Sequence, residues 1–418
     1  MNRIIVNGGK RLIGEVRIGG SKNAALPILF GGILTAEVCT FSELPRVSDV
    51  LRTLEILKFL GARIRFLENG DVEVDYKGIR PRMPPPVLTG RIRGSTYLLG
   101  AMLGRFGHAE LGGVGGCNFG TRPIDQHLAG FAALGAQVTE TKDGVRIAAP
   151  EGLRGTHFCL AMPSVGATAN LMLAGVAASG EVRLAGVAIE PHVVALAEFL
   201  TAAGAQITME SGARLRIRGG KPLHGCAFRM IPDMIEAGTY LAFGVATRGR
   251  VTVRDVRPAH LTATLDTLRR MGVRVLEGRD HVGIDATHGY HGTSIVTGPY
   301  PAFPTDLHPQ FAALFCLPHA RGQGSVTETV WRERFRYTAE LARMGAHTTV
   351  EGNCAHFAPS PLRHTTVRSP DLRGGAALLA AALATEGRSE IRDAVNIGRG
   401  YEHLGEKLAA LGAQITVY

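Results

Sequence analysis

The sequence predicts an α/β protein built from six copies of one unit of about 70 residues. Six times, a helical pattern ends in a small-residue turn and passes into an alternating strand. The glycines of these turns are Gly61, Gly135, Gly204, Gly272, Gly345 and Gly412. They lie 74, 69, 68, 73 and 67 residues apart, and a period this regular indicates a repeated architecture.

Each unit is predicted to contain the same elements in order. An alanine-rich helix comes first, such as 167–179, and a strand follows it, such as 181–184. A second helix ends at the turn glycine, because glycine readily adopts the left-handed conformation that terminates helices. Alternation after that glycine predicts a half-buried strand, and turn residues at 68–71 and 142–144 predict hairpins. Six units of helix, strand, helix, strand, strand suggest two domains of three units each, with a cleft between them.

Composition narrows the class of protein. The 418 residues are 45% hydrophobic and 20% charged, which is typical of a globular protein of two or three domains. The longest apolar runs are too short to span a membrane, and residues 1–10 do not resemble a signal peptide. Six scattered cysteines without a Cys-x-x-Cys pair argue against a disulfide framework or a zinc site. The cysteine pattern fits the reducing cytoplasm, so we expect a cytoplasmic protein.

The net charge of +10 is compatible with nucleic acid or with small anionic substrates. Lysine and arginine are spread along the chain, and no basic cluster is interleaved with aromatic residues. This distribution favours anionic metabolites over nucleic acid as partners.

One glycine-rich segment is the strongest local signal of function. Residues 112–125 place Cys117 among five glycines, followed by Arg122 and Pro123. Proline suits the first turn of a helix, so Arg122 is predicted at a helix N-terminus, where anions bind. A thiol near a cation and a helix N-terminus tends towards the reactive thiolate. Taken alone, the loop is equally compatible with an inert, buried cysteine.

Several cations are predicted at the beginnings of helices. They are Lys22, Arg93, Arg122, Arg334 and Arg399. A positive charge there opposes the helix macrodipole, and a bound phosphate or carboxylate would resolve the conflict. Side chains that merely point into solvent are the alternative. Acidic residues at helix starts, above all Asp125 and Asp233, are predicted to act as N-caps.

Five motifs together resemble a known family. They are residues 20–27 (Gly-Ser-Lys-Asn-Ala-Ala-Leu-Pro), 117–125, 163–168 (Pro-Ser-Val-Gly-Ala-Thr), 301–306 (Pro-Ala-Phe-Pro-Thr-Asp) and 399–402 (Arg-Gly-Tyr-Glu). Over essentially its whole length the chain resembles the enolpyruvyl transferases, in particular those that act on UDP-N-acetylglucosamine and begin peptidoglycan synthesis. The shikimate-acting members typically carry Ser-Lys-Ser and lack the loop cysteine, whereas this chain has Ser-Lys-Asn and Cys117.

The resemblance implies a two-domain, inside-out α/β barrel. One domain would combine residues 1–21 and 232–418, the other would contain residues 22–231, and the active site would lie in the cleft between them. The implied reaction transfers the enolpyruvyl group of phosphoenolpyruvate to a hydroxyl of a uridine nucleotide. The most favoured acceptor is the 3-hydroxyl of UDP-N-acetylglucosamine, and phosphate is released without a metal or other cofactor.

The resemblance also implies roles for individual residues. Cys117 would be the general acid, Asp306 would take the proton of the acceptor hydroxyl, and Lys22, Arg122 and Arg399 would hold phosphate and carboxylate. The implied substrate-binding residues are Asn23, Arg93, Arg122, Pro123, Ile124, Asp125, Ser164, Val165, Gly166, Arg334 and Arg373. The epoxide antibiotic fosfomycin, which alkylates the loop cysteine of this family, would alkylate Cys117.

The chain departs from the family pattern in three segments. Residues 190–195 have lost two usual carboxylates, at His192 and Ala195, and residues 333–338 and 397–399 also differ. These changes leave the acceptor open, and the alternative is the ribose 3'-hydroxyl of uridine monophosphate, as on routes to nucleoside antibiotics. A catalytically silent relative or an RNA-binding repeat protein is a further alternative, which the retained catalytic residues disfavour.

Overall fold

The computed structural model describes residues 2–90, 92–112, 124–142, 144–331 and 333–418. These residues form two compact units. The discontinuous unit combines residues 2–19 with 232–418, and the continuous unit contains the described residues between 20 and 231.

The chain starts with two strands of the discontinuous unit and then builds the continuous unit. The first strands are β1 (Arg3–Gly8) and β2 (Ile13–Arg17). The helices of the continuous unit are α1 (Lys22–Gly31), α2 (Ser48–Leu60), α3 (Pro86–Thr89), α4 (Tyr97–Phe106), α5 (Asp125–Ala133), α6 (Val165–Gly175) and α7 (Pro191–Ala202). Its strands are β3 (Val38–Ser42), β4 (Arg63–Phe66), β5 (Val72–Asp75), β6 (His108–Gly112), β7 (Gln137–Thr141), β8 (Gly144–Ala148), β9 (His157–Cys159), β10 (Glu181–Ala185), β11 (Gln206–Glu210), β12 (Arg214–Arg218) and β13 (Ala227–Arg229).

The chain then returns to the discontinuous unit. Its helices are α8 (Met234–Ala246), α9 (Thr262–Arg270), α10 (His308–Cys316), α11 (Tyr337–Arg343), α12 (Leu372–Ala384) and α13 (Leu404–Ala410). Its strands are β14 (Arg250–Arg254), β15 (Arg274–Glu277), β16 (His281–Asp285), β17 (Tyr290–His291), β18 (Ser294–Val296), β19 (Ala320–Arg321), β20 (Gly324–Thr327), β21 (His347–Glu351), β22 (Cys354–Ala358), β23 (Thr366–Arg368), β24 (Gly387–Arg392) and β25 (Gln414–Val417). Short 3₁₀ helices span Gly32–Thr35, Arg93–Thr96, Pro258–Leu261 and Ala394–Arg399.

Five four-stranded sheets share one pattern of pairing. Their strand orders are β13-β3-β5-β4, β9-β10-β12-β11, β2-β14-β16-β15, β18-β20-β22-β21 and β23-β24-β1-β25. In each, the first strand runs parallel to the second, and the remaining pairs are antiparallel. The described strands of a three-stranded sheet, β6-β8-β7, repeat the antiparallel part. The last sheet is completed by the start of the chain, since Ile4 lies opposite both Ile391 and Val417.

Sequence reasoning missed the parallel edge strands. Four of them, β9, β13, β18 and β23, are only three residues long. Three residues are too few to show an alternating pattern, so pairing with the neighbouring strand decides their conformation.

The core of each unit contains helices that are buried along almost their entire length. All nine residues of α10 and all residues of α8 after Met234 are buried. These two helices and α12 pack against one another in the discontinuous unit. In the continuous unit α4 packs against both α1 and α6. Among the described residues, no helix combines the length and the apolar content needed to cross a membrane.

The prediction that glycine ends the second helix of each unit is confirmed. All six turn glycines have a positive φ, between 80° and 116°. An L-residue with a side chain rarely adopts this conformation, so glycine sets the exit angle from helix to strand.

We expect Gly135→Ala to destabilise the continuous unit by about 1–2 kcal/mol, the typical cost of the left-handed conformation for alanine. A Cβ at Gly135 would find its nearest neighbour at 3.9 Å, so strain at φ is the main cost there. Gly61→Ala should cost more, because its Cβ would lie 2.2 Å from the carbonyl oxygen of Gly78. Urea unfolding followed by circular dichroism measures both, and equal losses would contradict the steric argument.

Candidate active site

Four buried helices begin with a side-chain cap. Ser21 accepts from the N–H of Ala24, and Ser164 accepts from the N–H of Ala167, each at 3.3 Å. Asp233 and Asp371 each accept two backbone N–H groups, at the starts of α8 and α12 respectively. These caps satisfy donors that the first turn leaves unpaired.

The two N-cap predictions for aspartate had different outcomes. The prediction for Asp233 is confirmed. The prediction for Asp125 is wrong, because Asp125 is the first helical residue of α5 and Ile124 occupies the cap position. An exposed carboxylate in the first turn still suits the positive end of the helix dipole.

Lys22 is the first residue of α1, as predicted, and it is largely buried. Its Nζ lies 3.1 Å from Oδ2 of Asp49 in α2, and their side chains are 11% and 3% exposed. Asp49 was not predicted as a site residue, because an acidic residue near the start of a helix such as α2 is usually explained by its favourable interaction with the helix dipole. The pair stabilises a cation at a helix N-terminus, where the dipole disfavours one. Asn23, the next residue, is half-buried.

A second group of polar residues in the continuous unit surrounds the start of α6. His127 is 5% exposed, and a Cβ on Gly166 would lie 2.7 Å from its Nε2. The ring therefore packs against the first turn formed by Ser164, Val165 and Gly166. Burial and, to a smaller extent, the positive charge of Arg93 lower the pKa of His127 to about 4. The neutral imidazole thus coexists with a nearby cation.

Arg93 also acts electrostatically on Tyr97, one helical turn further along the chain. Burial raises the pKa of Tyr97 to about 12, Arg93 opposes the rise, and Glu190 adds to it. Tyr97 therefore interacts electrostatically both with Arg93 and with Glu190, the residue before α7. The sequence departs from the family pattern in the segment that begins at Glu190. In that segment His192 is half-buried and Ala195 is buried within α7.

The discontinuous unit places Asp306 between two arginines. Arg334 donates from Nη2 to Oδ1 at 2.7 Å, and Arg373 donates from Nη2 and Nε to Oδ2 at 3.1 and 3.2 Å. Both guanidinium groups are almost fully buried, whereas the Asp306 side chain is 27% exposed. These three charge-assisted hydrogen bonds fix the orientation of the carboxylate. The structure thus brings together three residues that were predicted separately.

Tyr401 and two neighbours form a buried polar cluster beside Arg373. The Arg373 guanidinium carbon lies 5.4 Å from the centre of the Tyr401 ring. Gln310 donates to the Tyr401 hydroxyl at 3.2 Å and to Thr239 at 2.9 Å. Thr239 and Gln310 were missed, because each lies inside a buried apolar helix.

Two further predicted cations lie near helix starts without being helical N-terminal residues. Arg334 precedes α11 by three residues. Arg399 is the last residue of the 3₁₀ helix Ala394–Arg399, five residues before α13, and it is half-buried. In the altered segment around Arg334, the exposed Arg336 pairs with Glu333 at 3.2 Å.

The predictions for Cys117, Arg122 and Pro123 concern residues outside the described ranges. Within those ranges, no group of three or more His, Cys, Asp and Glu side chains is arranged to hold a metal ion.

Comparison with known proteins identifies the family. A family profile described as EPSP synthase (3-phosphoshikimate 1-carboxyvinyltransferase) matches residues 6–408. Three similar proteins are each called a UDP-N-acetylglucosamine 1-carboxyvinyltransferase. They come from Caldanaerobacter subterraneus subsp. tengcongensis (43% identical, 99% of both chains), Clostridium botulinum (41%, 100% of both) and Finegoldia magna (39%, 99% of this chain and 98% of the relative).

Solved structures agree with this assignment. The enolpyruvyl transferase NikO from Streptomyces tendae superposes with a TM-score of 0.89 at 28% identity, over 99% of this chain and 98% of that one. EPSP synthase from Acinetobacter baumannii shares the fold, with a TM-score of 0.76 at 19% identity over the whole of both chains. The chain belongs to the enolpyruvyl transferase family, and the predicted resemblance and α/β class are confirmed.

The pKa of His127 predicts a specific loss of stability in acid. The folded state binds its proton only near pH 4, whereas an unfolded histidine binds one near pH 6.5. Its contribution is therefore complete above pH 6.5 and declines as the pH falls towards 4. Between pH 7 and pH 5 the wild type should lose about 2 kcal/mol more unfolding free energy than His127→Gln.

Denaturant unfolding at the two pH values measures this difference. His157→Gln is the matched control, because His157 lies exposed on β9 of the same unit. Its pH dependence should equal that of the wild type. The assignment to His127 would be wrong if the His127 variant showed the wild-type loss.

Proposed function

We propose that the protein transfers the enolpyruvyl group of phosphoenolpyruvate to the 3-hydroxyl of UDP-N-acetylglucosamine, with release of phosphate. The observation that carries this proposal is the full-length similarity, at 39–43% identity, to proteins named for that activity. The structure adds a compatible arrangement of anion-binding side chains within each unit.

The proposed reaction is an addition followed by an elimination. The acceptor oxygen bonds to C2 of phosphoenolpyruvate while C3 gains a proton, which gives a tetrahedral intermediate. Loss of a proton from C3 and departure of phosphate from C2 then restore the double bond. We assign delivery of the proton to Cys117 and removal of the hydroxyl proton to Asp306. Lys22, Arg122 and Arg399 would hold the phosphate and carboxylate groups.

The geometry around Asp306 supports its assigned role. Arg334 and Arg373 hold both carboxylate oxygens, which leaves the group oriented and still partly exposed. A general base needs a fixed position within hydrogen-bond reach of its proton. In this proposal Arg334 and Arg373 also add positive charge beside the bound substrates.

The geometry of the continuous unit supports binding of the nucleotide. The first turn of α6 follows the Ser164 cap, and the N–H groups at a helix N-terminus suit phosphate oxygens, with Arg93 as a supporting cation. We assign the uridine and its phosphates to this turn and to residues 122–125. Asn23 and Asp306 would contact the acceptor sugar.

We further propose that each unit is an inside-out barrel of three repeats, with residues 1–21 and 232–418 in one domain and residues 22–231 in the other. The repeated sheet pattern and the buried helices support this arrangement.

A second acceptor is favoured by a specific observation. Residues 190–195 lack two carboxylates usual in the family, and NikO has a TM-score of 0.89 against this chain. The alternative acceptor is the ribose 3'-hydroxyl of uridine monophosphate.

A phosphate-release assay with phosphoenolpyruvate and a panel of uridine nucleotides decides between the acceptors. We expect turnover with UDP-N-acetylglucosamine, with mass spectrometry showing the enolpyruvyl adduct. Turnover with uridine monophosphate alone would establish the alternative. Absence of turnover with every nucleotide would refute both.

We expect Cys117→Ser to lower kcat by at least about 10²-fold, the lower end of the range for general acid–base catalysis. Fosfomycin should inactivate the wild type irreversibly and add its mass to Cys117. Cys159→Ser is the control, since Cys159 is an exposed cysteine of the continuous unit. It should retain wild-type activity and sensitivity. Mass added at Cys159, with Cys117 unmodified, would contradict the assigned role.

A further inference from the structure

Glu328 is a fully buried carboxylate that the proposed mechanism does not use. It follows strand β20, and its side chain is 0% exposed. Transferring a carboxylate from water into a protein interior is costly unless hydrogen bonds compensate it. The burial of the Glu328 carboxylate therefore needs an explanation.

Five groups surround the two oxygens of Glu328. Oε1 accepts from the Thr297 hydroxyl at 2.9 Å and from the N–H groups of Val330 and Trp331 at 2.6 and 3.0 Å. Oε2 accepts from the Thr305 hydroxyl at 2.7 Å and lies 3.1 Å from Nε2 of His308. Burial alone would raise the pKa of Glu328, but these partners lower it instead. Glu328 is therefore ionised and acts only as an acceptor.

His308 completes the environment as a neutral ring. It is fully buried, and burial lowers its pKa. Its Nδ1 lies 3.3 Å from the Tyr337 hydroxyl. A neutral ring that accepts from Tyr337 at Nδ1 carries its proton on Nε2, the ring nitrogen that lies 3.1 Å from Oε2 of Glu328. The tautomer is assigned from this network of partners.

The partners of Glu328 belong to the two segments that meet at Asp306. Thr305 immediately precedes Asp306, whereas Val330 and Trp331 lead into the turn that carries Arg334. The Thr305 hydroxyl joins the two segments directly, because it also accepts from Nη1 of Arg334 at 3.0 Å. Arg334 in turn donates to Asp306 at 2.7 Å.

We propose that Thr305, whose hydroxyl donates to the buried Glu328, is a positioning residue that fixes Arg334 against Asp306. This inference rests on the proposed function of Asp306. A hydroxyl has one proton, so donation to the ionised Glu328 leaves its lone pairs for Arg334. A neutral amide at position 328 would present N–H to Thr305 instead, and it would compete with the guanidinium for the same lone pairs.

The test compares Thr305→Val, which removes the hydroxyl, with Thr305→Ser, which keeps it. We expect Thr305→Val to lower kcat about tenfold or more, because a hydrogen bond to a charged group is lost. Thr305→Ser should stay within about threefold of the wild type, because it preserves the same bond. The KM for phosphoenolpyruvate should change less than kcat, since Asp306 is assigned to the chemical step. Rates are corrected for the folded fraction from circular dichroism.

Thr267→Val is the matched control in the same unit. The Thr267 hydroxyl is also buried, donates to the Ala263 carbonyl at 2.8 Å and accepts from Arg270 at 3.0 Å. It lies in α9, outside the cluster described above. Its loss should lower the thermal midpoint without lowering kcat. If Thr305→Val fails to fold, Thr305→Ala removes the same hydroxyl without adding a methyl group in its place.

Crystal structures of the wild type and of Thr305→Val provide a readout that is independent of turnover. We expect the contact between Arg334 and Asp306 to lengthen beyond hydrogen-bond distance in the variant. The positioning role is refuted if that contact and kcat both survive loss of the hydroxyl while Asp306→Asn is inactive. A wild type without turnover refutes the proposed function, and the crystallographic contact then decides the positioning role alone.

Discussion

Burial of whole helices is the constraint on which the rest of the structure depends. Helices α8, α10 and α12 are enclosed on all sides, so a charge in their middle turns would be desolvated at a cost of several kcal/mol. Charged side chains of the candidate site therefore lie mainly at helix ends and in the segments that precede the helices. Backbone N–H groups are unpaired at these ends, and anions are attracted to them. Repetition of the unit creates several such ends.

The buried charges described at these ends form ion pairs. A buried ion pair is weak evidence for stability, because desolvation offsets much of the attraction. Lys22 with Asp49, and Arg373 with Asp306, nevertheless occupy positions that apolar residues would fill at lower cost. Their cost is better explained by the need to hold a charge in one orientation. The buried Glu328, which accepts a hydrogen bond from the Thr305 hydroxyl, fits the same explanation.

The sequence was most informative where one residue type decides a conformation locally. The turn glycines predicted the helix ends, and the caps at Ser164 and Asp233 lie where helices begin. The three-residue edge strands could not be predicted, because only pairing across a sheet defines them. The capping role predicted for Asp125 failed because a one-residue shift of the helix start lies within the uncertainty of any sequence pattern.

The charged residues of the candidate site were proposed from the sequence, whereas the buried residues that hold them in place were not. Glu328 and Asp49 have no local signature, because their importance comes from burial and from partners distant in the sequence. The same division bears on how the proposed acceptor could change within this family. Asp306 is held by two buried arginines. A substitution within this group would leave a charge without its compensating partner and would lower the stability of the fold. The proposed nucleotide site uses backbone N–H groups and half-buried side chains, whose neighbours can change at little cost in stability. His192 is one such half-buried neighbour at the start of α7. Divergence of the acceptor with retention of the chemistry is therefore the easier evolutionary path.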